Sequence, residues 1–153
     1  MANPTSAEWT SRLVLVADIA ADLMTPNPLS VRGGATIPEI VAYLTDKGIS
    51  AAPVVDEAGR PVGVVSRTDI LVHDRERLGK SPPGGGEEGA DQPRARDIMT
   101  PAVFAVPPDY PAARVVGDML RLKVHQLYVV EPGGTLVGVV NSLDVLRNLR
   151  PVE

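Results

Sequence analysis

The chain has 153 residues and a formal net charge of -4 at pH 7, a length that suits one domain or two small repeats sharing a core and a charge that offers no global basic field to a polynucleotide. It contains no cysteine, which excludes disulfides, thiolate metal sites and cysteine nucleophiles together. Apolar residues make up 44% and aromatic residues only 3%, so the core is aliphatic and rich in the β-branched residues that strands favour.

Residues 1–17 read as an N-terminal extension. Its apolar patch, Leu13 to Ala17, is followed closely by Asp18 and Asp22, and no basic segment, long apolar run and cleavage site surround it as an export signal requires. No stretch reaches the about 20 apolar residues of a membrane span. A cytoplasmic protein without a membrane anchor is expected. A short strand is predicted near Leu29 to Val31. Thr36-Ile37-Pro38-Glu39 has the spacing of a capping box, in which hydroxyl and carboxylate each take an orphan backbone N–H. Ile37, Ile40, Val41 and Leu44 then share a face, which predicts a helix over about 37–47 closed by Gly48. Two β-branched runs, Ala52 to Asp56 and Pro61 to Ser66, form a hairpin, and Ser66-Arg67-Thr68-Asp69 opens a second helix.

Residues 79–92 are rich in Gly and Pro and read as a flexible linker. Beyond it lie a short strand near Phe104 to Val106 and a helix through Val115, Val116 and Met119, with Asp109 as its cap and Pro111 in its first turn. A hairpin of Leu127 to Glu131 with Leu136 to Asn141 follows, and then a helical start at Asn141-Ser142-Leu143-Asp144.

The second series of elements repeats the first. A shift of 75, the separation of Asp22 from Asp97, carries Asp22-Leu23-Met24-Thr25-Pro26 onto Asp97-Ile98-Met99-Thr100-Pro101. The same shift carries Val54-Val55 onto Val129-Val130, Val62-Gly63-Val64-Val65 onto Val137-Gly138-Val139-Val140, and Asp69 onto Asp144, with no insertion. A fixed internal period of this kind marks a duplicated unit. Repeat 1 spans 18–78 and repeat 2 spans 93–150, each reading β-α-β-β-α.

Met-Thr-Pro at the head of each copy, Gly48-Ile49-Ser50-Ala51-Ala52-Pro53-Val54-Val55-Asp56, and Gly63-Val64-Val65-Ser66-Arg67-Thr68-Asp69-Ile70-Leu71 resemble the cystathionine β-synthase-type (CBS) domain. The resemblance covers about residues 18–75 and 93–149. It implies an α/β (α+β) fold of two repeats packed about a pseudo-twofold axis, with clefts between the repeats. Such pairs commonly bind AMP, ADP, ATP, NAD or S-adenosylmethionine there, and they often form dimers. For this chain the resemblance implies a stand-alone regulatory module, a homodimer that senses energy or metabolite state and acts on a separate enzyme or transporter.

A nucleotide needs an apolar slot, a carboxylate for the ribose diol and donors for phosphate. Asp69 and Asp144 match the family's ribose-binding Asp, and a carboxylate can accept both ribose hydroxyls. Ser66 and Asn141 match the position that helps hold ribose or phosphate, where Asn141 departs from the usual Ser or Thr. The base is placed against Asn27, Pro28 and Leu29 or Val103 and Phe104, and against Ile49, Ala51 and Pro53 or His125, Leu127 and Tyr128. Tyr128 stands where the family has Pro, to stack on a base or to fill the mouth. Arg67 and His125 are the candidate phosphate cations. The competing reading is structural: Ser66-x-x-Asp69 and Asn141-x-x-Asp144 are also helix caps, and the module would then be a dimerisation scaffold with empty clefts.

Catalysis has no constellation to rest on. His73 and His125 occupy unrelated points of the repeat, and neither a nucleophile elbow nor metal-ligand spacing is present. The stretch Gly84 to Gly89 fits the dinucleotide pattern in letters only, since it follows Pro82-Pro83 and no strand. No catalytic residue, metal ligand or resident cofactor is expected, and the adenosine nucleotide would be a regulatory ligand. The arginines near the linker make nucleic acid a minor alternative.

Overall fold

The computed structural model describes residues 12–80 and 92–152. Most of the expected linker, residues 81–91, therefore lies outside the described residues, as does the Gly84 to Gly89 match.

The elements run in chain order as β1 (Leu13–Leu15), α1 (Ala20–Leu23), β2 (Thr25–Pro26), β3 (Val31–Arg32), α2 (Ile37–Lys47), β4 (Ala51–Val55), β5 (Pro61–Ser66) and α3 (Arg67–Lys80). After the linker come α4 (Ala95–Ile98), β6 (Ala105–Val106), α5 (Ala112–Leu122), β7 (Gln126–Val130), β8 (Leu136–Asn141), α6 (Ser142–Arg147) and β9 (Leu149–Pro151). The mixed α+β architecture is the one the sequence predicts, and each copy contains the expected β-α-β-β-α series, preceded by a short helix, α1 or α4, that the sequence does not predict. The terminal pairing is an addition: Leu13–Leu15, expected in an extension, forms an antiparallel ladder with β9.

Helix α2 starts and stops where local chemistry dictates. The Thr36 hydroxyl accepts from the Glu39 N–H, the Glu39 carboxylate accepts from the Thr36 N–H, and Gly48 closes the helix in the left-handed region at φ 65°. Helix α5 departs from expectation. Its N-cap is Pro111, with no side-chain cap, and Asp109 is exposed. The backbone removes the need for a carboxylate, because the Ala112 N–H donates to the Asp18 carbonyl at 3.0 Å.

The chain divides into two compact units that do not follow the repeats in chain order. One comprises Leu29–Val103, and the other joins residues up to Pro28 with those from Phe104 onward. In the Leu29–Val103 unit the sheet order is β3-β4-β5, with Val31, Ile40, Leu44, Ala52, Val54 and Val65 in its core. In the other unit the order is β2-β8-β7-β6, over a core that includes Leu23, Val115, Met119, Leu127, Val129 and Val140.

Each unit borrows the leading segment of the opposite copy. Thr25 and Pro26 pair with Val139 and Gly138 of repeat 2, and Thr100 exchanges two backbone hydrogen bonds of 2.8 and 2.9 Å with Val64 of repeat 1. The matching placement of Gly63 and Gly138 in the two copies follows from this contact. A Cβ on Gly63 would lie 2.5 Å from the Met99 sulfur and 2.8 Å from the Thr100 carbonyl, and one on Gly138 would collide with Met24.

The β4–β5 turn is organised by Asp56, whose carboxylate accepts from the Ala58 and Arg60 N–H groups at 2.9 Å and pairs with the Arg60 guanidinium. The backbone N–H of Arg60, then that of Ala58 and the guanidinium, hold this carboxyl below its ordinary value of 3.8 despite partial desolvation. A depressed folded-state value means that the contribution is present above the ordinary carboxylate range and is lost as pH falls through the folded-state value. Melting temperature should therefore decline as pH is lowered below about 4, and Asp56→Asn should flatten that decline. An acid limb of unchanged slope in the variant would remove Asp56 from the account.

Candidate functional site

Each hairpin ends in a strand-to-helix junction that carries a polar pair. At the β5–α3 junction the Ser66 N–H and hydroxyl both donate to Asp69 Oδ2, at 2.8 and 3.0 Å, and the Ser66 hydroxyl accepts from the Asp69 N–H at 3.2 Å. At the β8–α6 junction the Asn141 N–H donates to Asp144 Oδ2 at 2.9 Å, and Asn141 Oδ1 accepts from the Asp144 N–H at 2.9 Å. The capping role expected for all four residues is thus present in both copies. It uses only one oxygen of each carboxylate.

The other oxygen faces the borrowed Met-Thr-Pro segment. Thr25 Oγ1 donates to Asp144 Oδ1 at 3.2 Å, and Thr100 Oγ1 approaches Asp69 Oδ1 at 3.5 Å. These threonines are not among the site residues that the sequence suggests. Their identity at matching positions is the available signal, but pairing of each with the opposite copy's carboxylate is a long-range property that spacing alone does not carry.

The remaining expected residues separate by unit. Leu29, Ile49, Ala51, Pro53, Ser66, Arg67, Asp69 and Val103 belong to the Leu29–Val103 unit, whereas Asn27, Pro28, Phe104, His125, Leu127, Tyr128, Asn141 and Asp144 belong to the other. Asn27 follows β2 with φ 52°, a left-handed conformation that Asn tolerates better than most residues, and its N–H donates to the Val137 carbonyl. Leu29 and Phe104 are exposed, Ile49 and Ala51 are half-buried, and Pro53 is buried. Arg67 and His125 are exposed, as a phosphate cation must be. The Arg67 N–H donates to the Ser50 carbonyl, and the His125 carbonyl accepts from the Ser142 N–H.

Two expected contacts are corrected. Leu127 is 1% exposed and sits in the core cluster with Val115, Met119 and Val140, on a strand whose three central residues are all buried. Tyr128 is 3% exposed, and its hydroxyl accepts from Gln126 Nε2 at 2.7 Å. Burial pushes its phenol up to about 12. Buried to this degree, the ring presents no open face for stacking.

Among the described residues no group of three or more His, Asp or Glu side chains could hold a metal ion, and no helix is long and apolar enough to cross a membrane. What the junctions offer is hydrogen-bond acceptance by a carboxylate oxygen beside backbone N–H groups at a helix start.

The profile of the CBS domain matches residues 16–76 and 95–151. The chain belongs to the CBS domain family. As a CBS pair it is 34% identical over 134 residues to the magnesium transporter MgtE of Thermus thermophilus, covering 84% of this chain and 26% of that one. It is 28% identical over 137 residues to an uncharacterized protein of Methanopyrus kandleri, covering 89% of this chain and 63% of that one. The CBS pair therefore spans less than two thirds of the length of either curated relative. Among solved structures it resembles CBSX2 in complex with AMP, with a TM-score of 0.70, 27% identity, and 86% and 95% of the two chains covered. It also resembles the cytosolic domain of the MgtE Mg2+ channel in complex with ATP, with a TM-score of 0.67, 33% identity, and 85% and 48% covered.

Proposed function

We propose that this CBS pair is a regulatory module that binds an adenosine-type nucleotide, AMP, ADP or ATP, at its strand-to-helix junctions, and that it senses energy or metabolite state without catalysing a reaction. The observation that carries this reading is the carboxylate at each junction with one oxygen committed to the helix cap and the other aimed at a threonine hydroxyl. A ribose hydroxyl can take the place of that threonine, because both are O–H donors to the same acceptor. Exposed Arg67 and His125 are the cations for phosphate, and Ile49, Ala51 and Val103 in one unit, or Asn27 and Pro28 in the other, supply apolar and backbone surface for a base. Related solved structures in complex with AMP and ATP support this class of ligand, and a related pair in complex with 5′-methylthioadenosine and S-adenosyl-L-methionine at 25% identity widens it to other adenosyl compounds. The cytoplasm is the compartment in which such ligands abound, and the recipient of the signal would be a separate enzyme or transporter.

An AMP-sized ligand of about 23 heavy atoms, at about -0.3 kcal/mol per atom, gives roughly -7 kcal/mol and a Kd on the order of 10 µM. Titration calorimetry with AMP, ADP, ATP and S-adenosylmethionine should find at least one ligand bound more tightly than about 1 mM. The absence of both heat and a thermal shift with all four ligands would overturn the reading.

A second reading, a homodimerisation module with empty clefts, is favoured by a specific observation. Helices α3, α5 and α6 expose Leu71, Leu78, Leu120, Leu143 and Leu146, at 67%, 85%, 75%, 52% and 57%. Between α5 and α6 lies an apolar groove of about 570 Å³ lined by Val116, Met119, Leu120, Val145 and Leu146. Apolar faces of this kind commonly mark protein interfaces. Sedimentation with and without nucleotide separates the readings: a dimer unaffected by every ligand supports scaffolding, and one whose association responds to nucleotide supports sensing.

A further inference from the structure

Resting on the nucleotide reading, the two junctions are not equivalent, and we infer that only the Ser66–Asp69 junction accepts a ribonucleoside, so that each chain binds one nucleotide rather than two. At Asp69 both short contacts fall on Oδ2, from the Ser66 N–H and hydroxyl, and Oδ1 meets only the Thr100 hydroxyl at the 3.5 Å limit of hydrogen bonding. The residue is half-buried, more exposed than its counterpart. At Asp144 the distal oxygen is already held from two sides, by Thr25 Oγ1 at 3.2 Å and by the Arg147 guanidinium at 3.4 Å, and the residue is 5% exposed.

The difference is written in side chains that break the repeat. Arg147 has Val72 as its counterpart 75 residues earlier, so no guanidinium can reach Asp69 from the equivalent place. An ion pair between an exposed arginine and a buried carboxylate, its side chains 64% and 6% exposed, must be broken or shared before a diol can dock, and charge-assisted hydrogen bonds are the stronger kind. The receptive junction also carries a guanidinium in the first turn of its helix: Arg67 follows Ser66, where the other copy has Ser142 and offers His125 alone.

Calorimetry of the full chain with AMP should give a stoichiometry of one per chain. Asp69→Asn, which keeps an oxygen to accept the Ser66 N–H, should weaken binding on the order of tenfold or more. Amide NMR locates the ligand without mutation: AMP should shift the Ser66, Arg67 and Thr68 resonances and leave those of Asn141, Ser142 and Leu143 in place. Arg147→Val, which copies Val72, should add a second binding event. A wild-type stoichiometry of two, shifts confined to residues 141–143, full affinity in folded Asp69→Asn, or no second event in Arg147→Val would each overturn the inference while leaving nucleotide binding intact. Absence of binding in the wild type would instead remove the parent reading and this one with it.

Discussion

Leu127→Ala should lower the unfolding free energy by about 2–5 kcal/mol, the range for truncating a buried leucine in a core that relaxes only in part. Leu127 is 1% exposed and packs with Val115, Met119, Val129 and Val140. Its counterpart in the other copy is Ala52, fully buried among Ile40, Leu44 and Val54. The two cores thus share a pattern but not a set of volumes. The measurement is a urea melt, in which the midpoint falls with little change in slope. The same variant tests whether Leu127 belongs to the core alone, because a core residue changes stability and leaves the Kd of the folded protein within about twofold. A large affinity loss in a fully folded Leu127→Ala would return the side chain to the binding surface.

Gly63→Ala should cost about 1–3 kcal/mol, as overpacking of a close contact does. The added methyl would meet the Met99 sulfur at 2.5 Å and the Thr100 carbonyl at 2.8 Å. A methionine can swing aside, but the carbonyl is part of the backbone exchange with Val64 and moves only if that pairing loosens. Gly117 provides the opposite sign. It lies inside α5, where an added methyl would meet nothing within 4 Å, so Gly117→Ala should stabilise by about 0.4–1 kcal/mol through the unfolded chain. Thermal melts of the two variants decide the matter, and similar shifts of the same sign would defeat the argument from close approach.

The features legible in the sequence are those written locally. The Thr36–Glu39 box and Gly48 bound α2 because capping and left-handed closure depend on residues three or four apart. The hairpins are equally readable from their β-branched runs and intervening turns. Asp109 shows where local reading fails: Asp is a good cap by type, but the Asp18 carbonyl, 94 positions away, takes the Ala112 N–H instead. The site divides along the same line. Ser66 with Asp69 and Asn141 with Asp144 are visible as pairs, whereas Thr25, Thr100 and Arg147 are not, since the threonines reach a carboxylate of the opposite copy and the arginine sits where the duplication has diverged. Tyr128 departs from a family proline, and its ring is buried.

The exchange of Met-Thr-Pro segments has a consequence for how this polypeptide can be cut. A fragment ending near residue 80 would keep the Ser66–Asp69 junction but lose Thr100, and the complementary fragment would keep Asp144 but lose Thr25. Severing the backbone between the copies should therefore yield two pieces that are each deficient alone and that reconstitute on mixing, because either one holds the strip of chain its counterpart lacks.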